Sequence, residues 1–182
     1  MKKLLLTVIV TILVSTVLQA QDTIVQTTTR TVYSRWERNN LNLRIGPEVG
    51  FPLGDFKKTH NLGIGGSALL DIPLARRFSI IAYAGLRSHG GKDQQPRATI
   101  YGLRTGLNYK LTPDFYLTGQ IGESTVHLGD SKTSVSQALG IGYFNGFLDI
   151  GARWDYDYAQ GGLSSLVFQA RYVITLGVKK KS

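Results

Sequence analysis

Histidine, serine and glutamate side chains are the groups in this sequence that could support catalysis or metal binding. The histidines are His60, His89 and His127, and the 182 residues include no cysteine. No two of these histidines have the spacing of a zinc site, so we predict no metal centre. Glu123, Ser124 and His127 are the candidates for an acidic orienting group, a nucleophile and a base.

The spacing of these three candidates argues against a catalytic triad. On a β-strand, Glu123 and His127 share one face and Ser124 points to the other. We therefore expect no catalytic residue, and we interpret the histidines as solvated loop residues. The glycines at 63–66 and 90–91 do not form a phosphate-binding loop, so no cofactor is expected.

The composition excludes several classes of protein. Lysine and arginine number 21 against 12 acidic residues, which gives a formal net charge of +9, and charged residues make up 18%. That share is below the roughly 25% usual in soluble domains. Without cysteine there is no disulfide scaffold, thiolate metal site, cysteine nucleophile or lipid-modified N-terminal cysteine. Outside the N-terminus no stretch of about 20 apolar residues predicts a membrane helix.

The first twenty residues have the order of a secretory signal peptide. A positive start is followed by an apolar run over 4–18, and Ala20 precedes the polar Gln21. The alternative is a membrane anchor, for which the run is short. We predict a cleaved signal over 1–20 and a polar periplasmic leader over 21–39, with a short strand at 23–32 as an alternative. Because the chain is exported, we expect no nucleic-acid partner.

From Asn40 onwards, apolar residues recur at every second position, which is the period of a β-strand. Leu41 and Leu43 fall on one face, and Asn42 and Arg44 fall on the other. Apart from one glutamate near the end of the fifth segment, no charged residue falls on the apolar face of any segment. The predicted strands are 40–51, 62–72, 78–88, 100–111, 115–124, 135–144, 147–157 and 165–178.

Strand length and the placement of aromatic residues favour a membrane barrel over a soluble sandwich. The segments match the roughly 9–11 residues that a strand needs to cross a bilayer. Their centres carry aliphatic residues, as expected for a lipid-facing band between two aromatic girdles. The aromatic residues near segment ends are Phe51, Phe78, Tyr101, Tyr109, Phe115, Tyr143, Trp154, Tyr156 and Phe168.

The connections predict an up-and-down topology. Short turns fall at 73–77, 112–114 and 145–146, where Asn145–Gly146 is a strong hairpin signal. Longer connections are predicted between strands 1 and 2, 3 and 4, 5 and 6, and 7 and 8. The fold class is therefore all-β: an eight-stranded antiparallel transmembrane β-barrel over 40–178, with a basic tail over 179–182 and both barrel ends of the chain in the periplasm.

The inward face of the predicted barrel carries charges of both signs. Eight strands leave an interior that side chains fill, so these charges should pair and plug the lumen. The predicted lumen charge network consists of Arg44, Glu48, Asp71, Arg87, Arg104, Lys110, Asp149, Arg153, Asp155 and Arg171.

Glycine-rich alternating hairpins such as 41–50 and 138–143 give the chain its family resemblance. It resembles small eight-stranded outer-membrane β-barrels of the OmpA/OmpX-like class, and it looks closest to the PorT-like "outer membrane protein beta-barrel" family. The resemblance implies the outer membrane of a Gram-negative cell and a barrel-assembly machinery as partner. Such barrels commonly end on an aromatic residue, whereas Lys179 to Ser182 follow the last alternating residue here.

These features predict a non-catalytic outer-membrane protein with a structural or interaction role. Expected partners are outer-membrane lipid, lipopolysaccharide and a further protein. Three alternatives remain open: a narrow channel for small solutes, an enzyme that modifies lipid A, and a soluble secreted barrel that binds a ligand. The loop residues predicted to contact lipopolysaccharide phosphates are Lys57, Lys58, Lys92, Arg97 and Lys132.

Overall fold

A computed structural model describes residues 40–159 and 162–176, which form eight strands and one short helix. The helix, α1, is Gly54–Thr59 and follows the first strand. The strands are β1 Leu41–Leu53, β2 His60–Pro73, β3 Phe78–Gly91, β4 Ala98–Lys110, β5 Phe115–Leu128, β6 Asp130–Phe144, β7 Leu148–Asp157 and β8 Leu163–Leu176.

The strands form a closed barrel in which each pairs with its sequence neighbours and β8 pairs with β1. All eight pairings are antiparallel. Following the paired residues once around the barrel from Asn42 leads back to Pro52, ten residues further along β1. This stagger tilts the strands and fixes a lumen that side chains can fill.

The two ends of the barrel differ in their connections. The turn end, where β1 begins and β8 ends, carries the connections at 74–77, 111–114 and 145–147. The loop end carries α1, the β3–β4 connection at 92–97, Gly129 and the β7–β8 connection. The predicted eight-stranded antiparallel barrel is confirmed, with strand bounds shifted by a few residues.

The prediction of a long connection between strands 5 and 6 is wrong. β5 and β6 continue as a paired hairpin up to Leu128 and Asp130, and Gly129 turns the chain with φ +84°. This extension is rich in serine and threonine on both faces, so it shows no apolar alternation that a periodicity analysis could detect. The helix α1 also has no counterpart in the sequence prediction.

The two faces of the barrel wall have opposite character. Outward side chains are apolar and exposed: Leu103 is 69% exposed and Ile64 is 65% exposed. Inward side chains are mostly polar or charged and buried. The outward aromatic residues form two belts, represented by Phe78 with Tyr109 (ring centroids 4.9 Å apart) at the turn end and by Phe51 with Phe168 (5.7 Å) at the loop end. This is the surface of a barrel that faces lipid.

The signal peptide over 1–20, the leader over 21–39 and the basic tail over 179–182 lie outside the described residues. Within the part of the chain that is described, no helix has the length and apolarity required to cross a membrane.

Neighbouring glycines on β2 provide a test of the wall geometry. A Cβ atom at Gly65, on the inward face, would overlap the carbonyl oxygen of Leu86 on β3. A Cβ atom at Gly66, on the outward face, would lie 3.4 Å from the nearest atom, the Gly46 carbonyl oxygen. We expect Gly65→Ala to lower the free energy of unfolding by about 1–3 kcal/mol and Gly66→Ala by less than about 0.5 kcal/mol. Urea unfolding in phospholipid vesicles measures both, and equal effects would contradict the strand packing described.

Candidate functional site: the lumen and the loop-end rim

A central ionic cluster fills the middle of the lumen around Arg153 of β7. Its guanidinium donates to both Glu48 carboxylate oxygens, at 2.7 and 2.8 Å, and its Nε donates to Asp155 at 2.7 Å. It also donates to the Tyr83 hydroxyl at 2.7 Å, and that hydroxyl donates to Glu48 at 3.0 Å. Arg153, Glu48 and Asp155 are each at least 98% buried. Buried charges are tolerable when they are paired and hydrogen-bonded in this way.

Asp155 joins two further arginines to the central cluster. Arg87 and Arg104 each place a guanidinium nitrogen 3.3 Å from Asp155 Oδ2. The guanidiniums of Arg104 and Arg153 both lie 4.5 Å from the centre of the Tyr83 ring. The Tyr83 ring thus attracts both guanidiniums through cation–π interactions, while its hydroxyl donates to the Glu48 carboxylate.

The sequence analysis did not include Asp157 among the lumen charges. Asp157 is the last residue of β7, 3% exposed, and it lines a cavity of about 10 Å³ together with Ser124, Arg104 and Asp155. The alternation of β7 already predicts an inward Asp157, since it follows Arg153 and Asp155 at every second position.

A second ionic cluster lies towards the turn end. Arg44 pairs with Asp71 and places its Nη1 3.5 Å from Asp149. Asp149 accepts a hydrogen bond from the Tyr116 hydroxyl at 2.6 Å, and its second oxygen lies 3.4 Å from Arg171 Nε. The Arg44 guanidinium also lies 4.8 Å from the centre of the Phe144 ring.

The structure therefore places nine of the ten predicted network residues in buried ion pairs. The exception is Lys110. Lys110 ends β4 at the turn end, is only half-buried, and forms no ion pair with the described residues. Because it stands at the end of the strand and is partly exposed, water can hydrate Lys110 in place of a carboxylate partner.

Glycines on the inward face provide room for the long side chains. A Cβ atom at Gly50 would overlap the Arg87 guanidinium, and one at Gly142 would overlap the Tyr116 ring. The high glycine content thus has a steric role in the lumen.

An apolar plug closes the loop end of the lumen, and the sequence analysis did not predict it. Phe56 of α1 is 3% exposed and packs with buried apolar residues from the loop ends of the strands. The prediction missed the plug because these inward positions lie at or beyond the ends of the segments with clear alternation. Its members are Phe56, Ala98, Ile100, Val126, Ala159 and Leu163.

Two of the three histidines hold this plug in place. The rings of His60 and His89 contact Phe56, with centroids 4.8 and 4.9 Å from its ring centre. His89 accepts a hydrogen bond from Arg87 Nε at 3.0 Å, and His60 bonds the Pro96 carbonyl oxygen at 3.1 Å. The interpretation of His60 and His89 as solvated loop residues is wrong, because both are at least 96% buried.

The candidates for a catalytic triad are separated by the barrel wall. Ser124 is buried in the lumen, whereas Glu123 and His127 are exposed on the outer face. His127 instead bonds the Ser131 hydroxyl at 2.7 Å. Among the described residues, no group of three or more histidine and acidic side chains could hold a metal ion.

The loop end carries the five basic residues predicted to contact lipopolysaccharide. Lys57 and Lys58 are exposed on α1, Lys92 and Arg97 lie on the β3–β4 connection, and Lys132 is exposed on β6. Lys92 Nζ donates to the Lys57 carbonyl oxygen at 2.7 Å, which joins α1 to the β3–β4 connection. Lys58 donates to Asp55 at 2.7 Å, and this bond lowers the pKa of the Asp55 carboxyl. These five residues form the basic rim.

The profile of a protein family described as "Putative MetA-pathway of phenol degradation" matches residues 11–172. The chain belongs to this family. Its description differs from the PorT-like name, while the predicted resemblance to small eight-stranded outer-membrane barrels is confirmed. A search of curated protein sequences gives no match to the chain.

Solved structures share the fold of this family member at low sequence identity. Ail, the attachment invasion locus protein of Yersinia pestis, is 14% identical, with 75% of this chain and 99% of Ail covered and a TM-score of 0.57. The N-terminal β-barrel domain of Pseudomonas aeruginosa OprF is 13% identical, with 73% and 97% covered and a TM-score of 0.52. Neisserial surface protein A is 12% identical, with 74% and 96% covered and a TM-score of 0.52.

The apolar outer face and the fold together locate the family member in the outer membrane. The structures similar to it are outer-membrane β-barrels, and its own wall exposes aliphatic side chains between two aromatic belts. A soluble protein rarely exposes so large an apolar surface. The alternative of a soluble secreted barrel is thereby excluded.

The central cluster provides a test of how the lumen is stabilised. Arg153→Met leaves the buried Glu48 and Asp155 carboxylates without their main partner, and we expect the free energy of unfolding to fall by about 3–5 kcal/mol. Lys110→Met removes an unpaired, half-buried charge and should change it by less than about 1 kcal/mol. Urea unfolding in phospholipid vesicles, followed by tryptophan fluorescence, compares the two. An Arg153→Met effect as small as that of Lys110→Met would contradict the assigned role of the cluster.

Proposed function

We propose that this family member is a non-catalytic outer-membrane protein whose rigid barrel presents the basic rim to phosphate groups of lipopolysaccharide. In this orientation the loop end faces outward and the turn end faces the periplasm. The observation that carries the proposal is the combination of a closed lumen with the five basic residues of the rim at the loop end. Insertion into the membrane by a barrel-assembly machinery is part of the proposal.

The filled lumen supports a scaffold role rather than a channel. Two lumen cavities, one in the central cluster and one towards the turn end, measure about 10 Å³ each. That is roughly the volume that one water molecule requires. The plug around Phe56 lies above them. The family description names a phenol-degradation pathway, and uptake of a small aromatic molecule would need a route that this filled lumen does not provide.

The same geometry supports the absence of catalysis. A lipid-modifying enzyme needs a nucleophile, a base and an orienting acid on one side of the wall. Ser124 lies inside the barrel, and Glu123 and His127 lie outside it. The three side chains are therefore not arranged as one such site.

The chemistry of the rim supports an anionic glycolipid as the partner. Ammonium and guanidinium groups bind phosphate through charge-assisted hydrogen bonds. Ail has been crystallised in complex with the heparin analogue sucrose octasulfate, so one barrel of this fold binds a highly anionic sugar. The aromatic belt at the loop end lies beside the rim, as expected where the wall meets lipid headgroups.

Neutralising the rim tests this proposal. We expect the wild-type barrel to be more stable in vesicles containing lipopolysaccharide than in phospholipid vesicles. A variant with Lys57, Lys58, Lys92, Arg97 and Lys132 each changed to Gln should lose that gain and keep its stability in phospholipid, since the rim cations no longer pair with phosphate. The temperature at which the barrel unfolds on heat-modifiability gels measures both.

A matched pair of double variants controls for net charge. Lys57→Gln with Lys58→Gln removes two charges from the loop end, and Arg76→Gln with Arg77→Gln removes two from the turn end. Only the first pair should reduce the gain from lipopolysaccharide. The proposal fails if the five-residue variant retains the full gain.

Planar-bilayer recording tests the closed lumen. We expect the wild-type barrel to insert without conductance steps, because the ionic clusters and the plug leave no continuous water path. Phe56→Ala should remain silent as well, since both clusters lie beneath the plug. A porin in the same bilayer shows that insertion and recording work. Reproducible steps from the wild-type protein would favour the channel alternative.

A further inference from the structure

The hydrogen bonds of His89 hold its ring in one neutral form. Arg87 Nε donates to His89 Nε2 at 3.0 Å, and an arginine N–H cannot accept a hydrogen bond. His89 Nδ1 lies 3.0 Å from the Asn61 carbonyl oxygen, which can only accept. The proton of the neutral ring is therefore on Nδ1, and Nε2 is the acceptor. A second proton on Nε2 would break the bond from Arg87 and bring two cations into contact.

His60, which also packs against Phe56, has bonds that tolerate a second proton. Its Nε2 lies 3.1 Å from the Pro96 carbonyl oxygen and so carries the proton of the neutral ring. Its Nδ1 lies 2.8 Å from the Thr59 hydroxyl, which has another acceptor in the Phe56 carbonyl oxygen at 3.2 Å. The hydroxyl can donate to Phe56 and accept from a protonated Nδ1. The two histidines therefore differ, because only His89 loses a bond on protonation.

Among the described residues, no carboxylate bonds His89 or is free to stabilise its protonated form. The charges that act most strongly on its ring are those of Arg87 and His60, and both oppose a further positive charge. Asp155 on β7 bonds Arg87 and is already shared by three arginines. Asp55 on α1 is exposed and bonds a lysine of the basic rim. The other charged side chains on the elements around the plug are Lys57 and Lys58 on α1, Lys92, Asp93 and Arg97 on the β3–β4 connection, Arg104 on β4 and Asp157 on β7.

His89 lies beyond the lipid-facing part of β3. Leu86 pairs with Tyr101, an outward aromatic residue towards the loop end, and His89 is three residues further in that direction. Burial lowers the pKa of His89 to about 4, and the Arg87 charge adds to this effect. In an open plug the ring would meet water and have the ordinary histidine pKa of about 6.5. The open form then binds the proton more tightly, so the closed form loses stability as the pH falls from about 6.5 towards 4.

We propose that protonation of His89 releases Phe56, and α1 with it, from the loop end of the barrel. The His89 ring packs against Phe56 with centroids 4.9 Å apart, so its displacement by repulsion from Arg87 removes one wall of the plug. The helix α1 has six residues and buries only Phe56, so this side chain is its main attachment. The ionic clusters below the plug stay paired, and the lumen remains closed.

Release of α1 changes the basic rim. Lys57 and Lys58 lie on α1, and Lys92 is joined to it by the bond from its Nζ to the Lys57 carbonyl oxygen. Three of the five rim cations therefore lose their fixed positions in acid, and the apolar side chains of the plug meet water. The inference concerns protonation of a buried ring, so it is independent of lipopolysaccharide binding by the rim.

Spin labelling of α1 tests the proposal. The chain has no cysteine, so Lys57→Cys provides one labelling site on α1 and Lys132→Cys provides a reference site on β6. The full barrel is placed in phospholipid nanodiscs, and the EPR line shape gives the ratio of mobile to immobile label. We expect this ratio to rise at least about tenfold at position 57 between about pH 7.5 and about pH 4, because the open form takes up a proton. The label at position 132 should not respond.

Neutral replacements of His89 should remove the acid response. His89→Gln offers an amide oxygen to Arg87 and an amide N–H to the Asn61 carbonyl oxygen, and it has no titratable group. We expect the rise in the mobile-to-immobile ratio to fall below about twofold. His89→Asn, with a shorter amide side chain, should give the same result. Unchanged heat-dependent gel migration verifies that both barrels fold.

Two control variants remove other buried groups at the loop end that could respond to acid. His60→Gln replaces the other histidine of the plug, and Asp157→Asn replaces the buried carboxyl group at the end of β7. Both should retain the wild-type rise. Three results would contradict the proposal: an unresponsive label at position 57, a full rise in both His89 variants, or loss of the rise in either control variant. Loss of lipopolysaccharide stabilisation in the five-residue variant tests the proposed function separately.

Discussion

Closure of the sheet is the constraint on which the rest of this structure depends. Lipid offers no hydrogen-bond partner to a backbone N–H or C=O, so every strand in the membrane must be paired on both sides. The pairing of β8 with β1 meets this requirement without an exposed edge. With eight strands and a stagger of ten residues, closure also fixes a narrow lumen. The apolar outer face and the crowded inner face are consequences of that geometry.

The narrow lumen in turn determines its chemistry. Little water fits inside, so each charge in the middle of the lumen needs a protein partner. Arg153 meets this need by donating to Glu48, Asp155 and Tyr83 at once. Tyrosines contribute a ring face to the arginines and, unlike phenylalanine, a hydroxyl that bonds the carboxylates. The interior is therefore occupied by fixed ion pairs, which leaves the rim as the place for contacts with other molecules.

The basic rim lies where the membrane constraint ends. Above the aromatic belt the strands meet water, so exposed lysines carry no large desolvation cost there. Contacts with other molecules are therefore expected at the rim, where charged side chains do not need a partner within the protein. The barrel supplies a rigid base, and the plug of Phe56 with His60 and His89 fixes α1 beside that rim.

The sequence by itself determined the strands, their faces and the inward direction of residues such as Arg44 and Arg153, because side chains alternate strictly along a strand and lipid tolerates no charge. It did not determine which charges pair. Glu48 and Arg153 lie on β1 and β7, and only closure through β8 brings them together. Phe56 and the β5–β6 extension were also missed. Both lie outside the membrane-spanning wall, where the two faces of a strand do not meet lipid on one side and the lumen on the other. The sequence there therefore lacks the two-residue hydrophobic period. Their positions depend on contacts between distant segments, which only the tertiary structure decides.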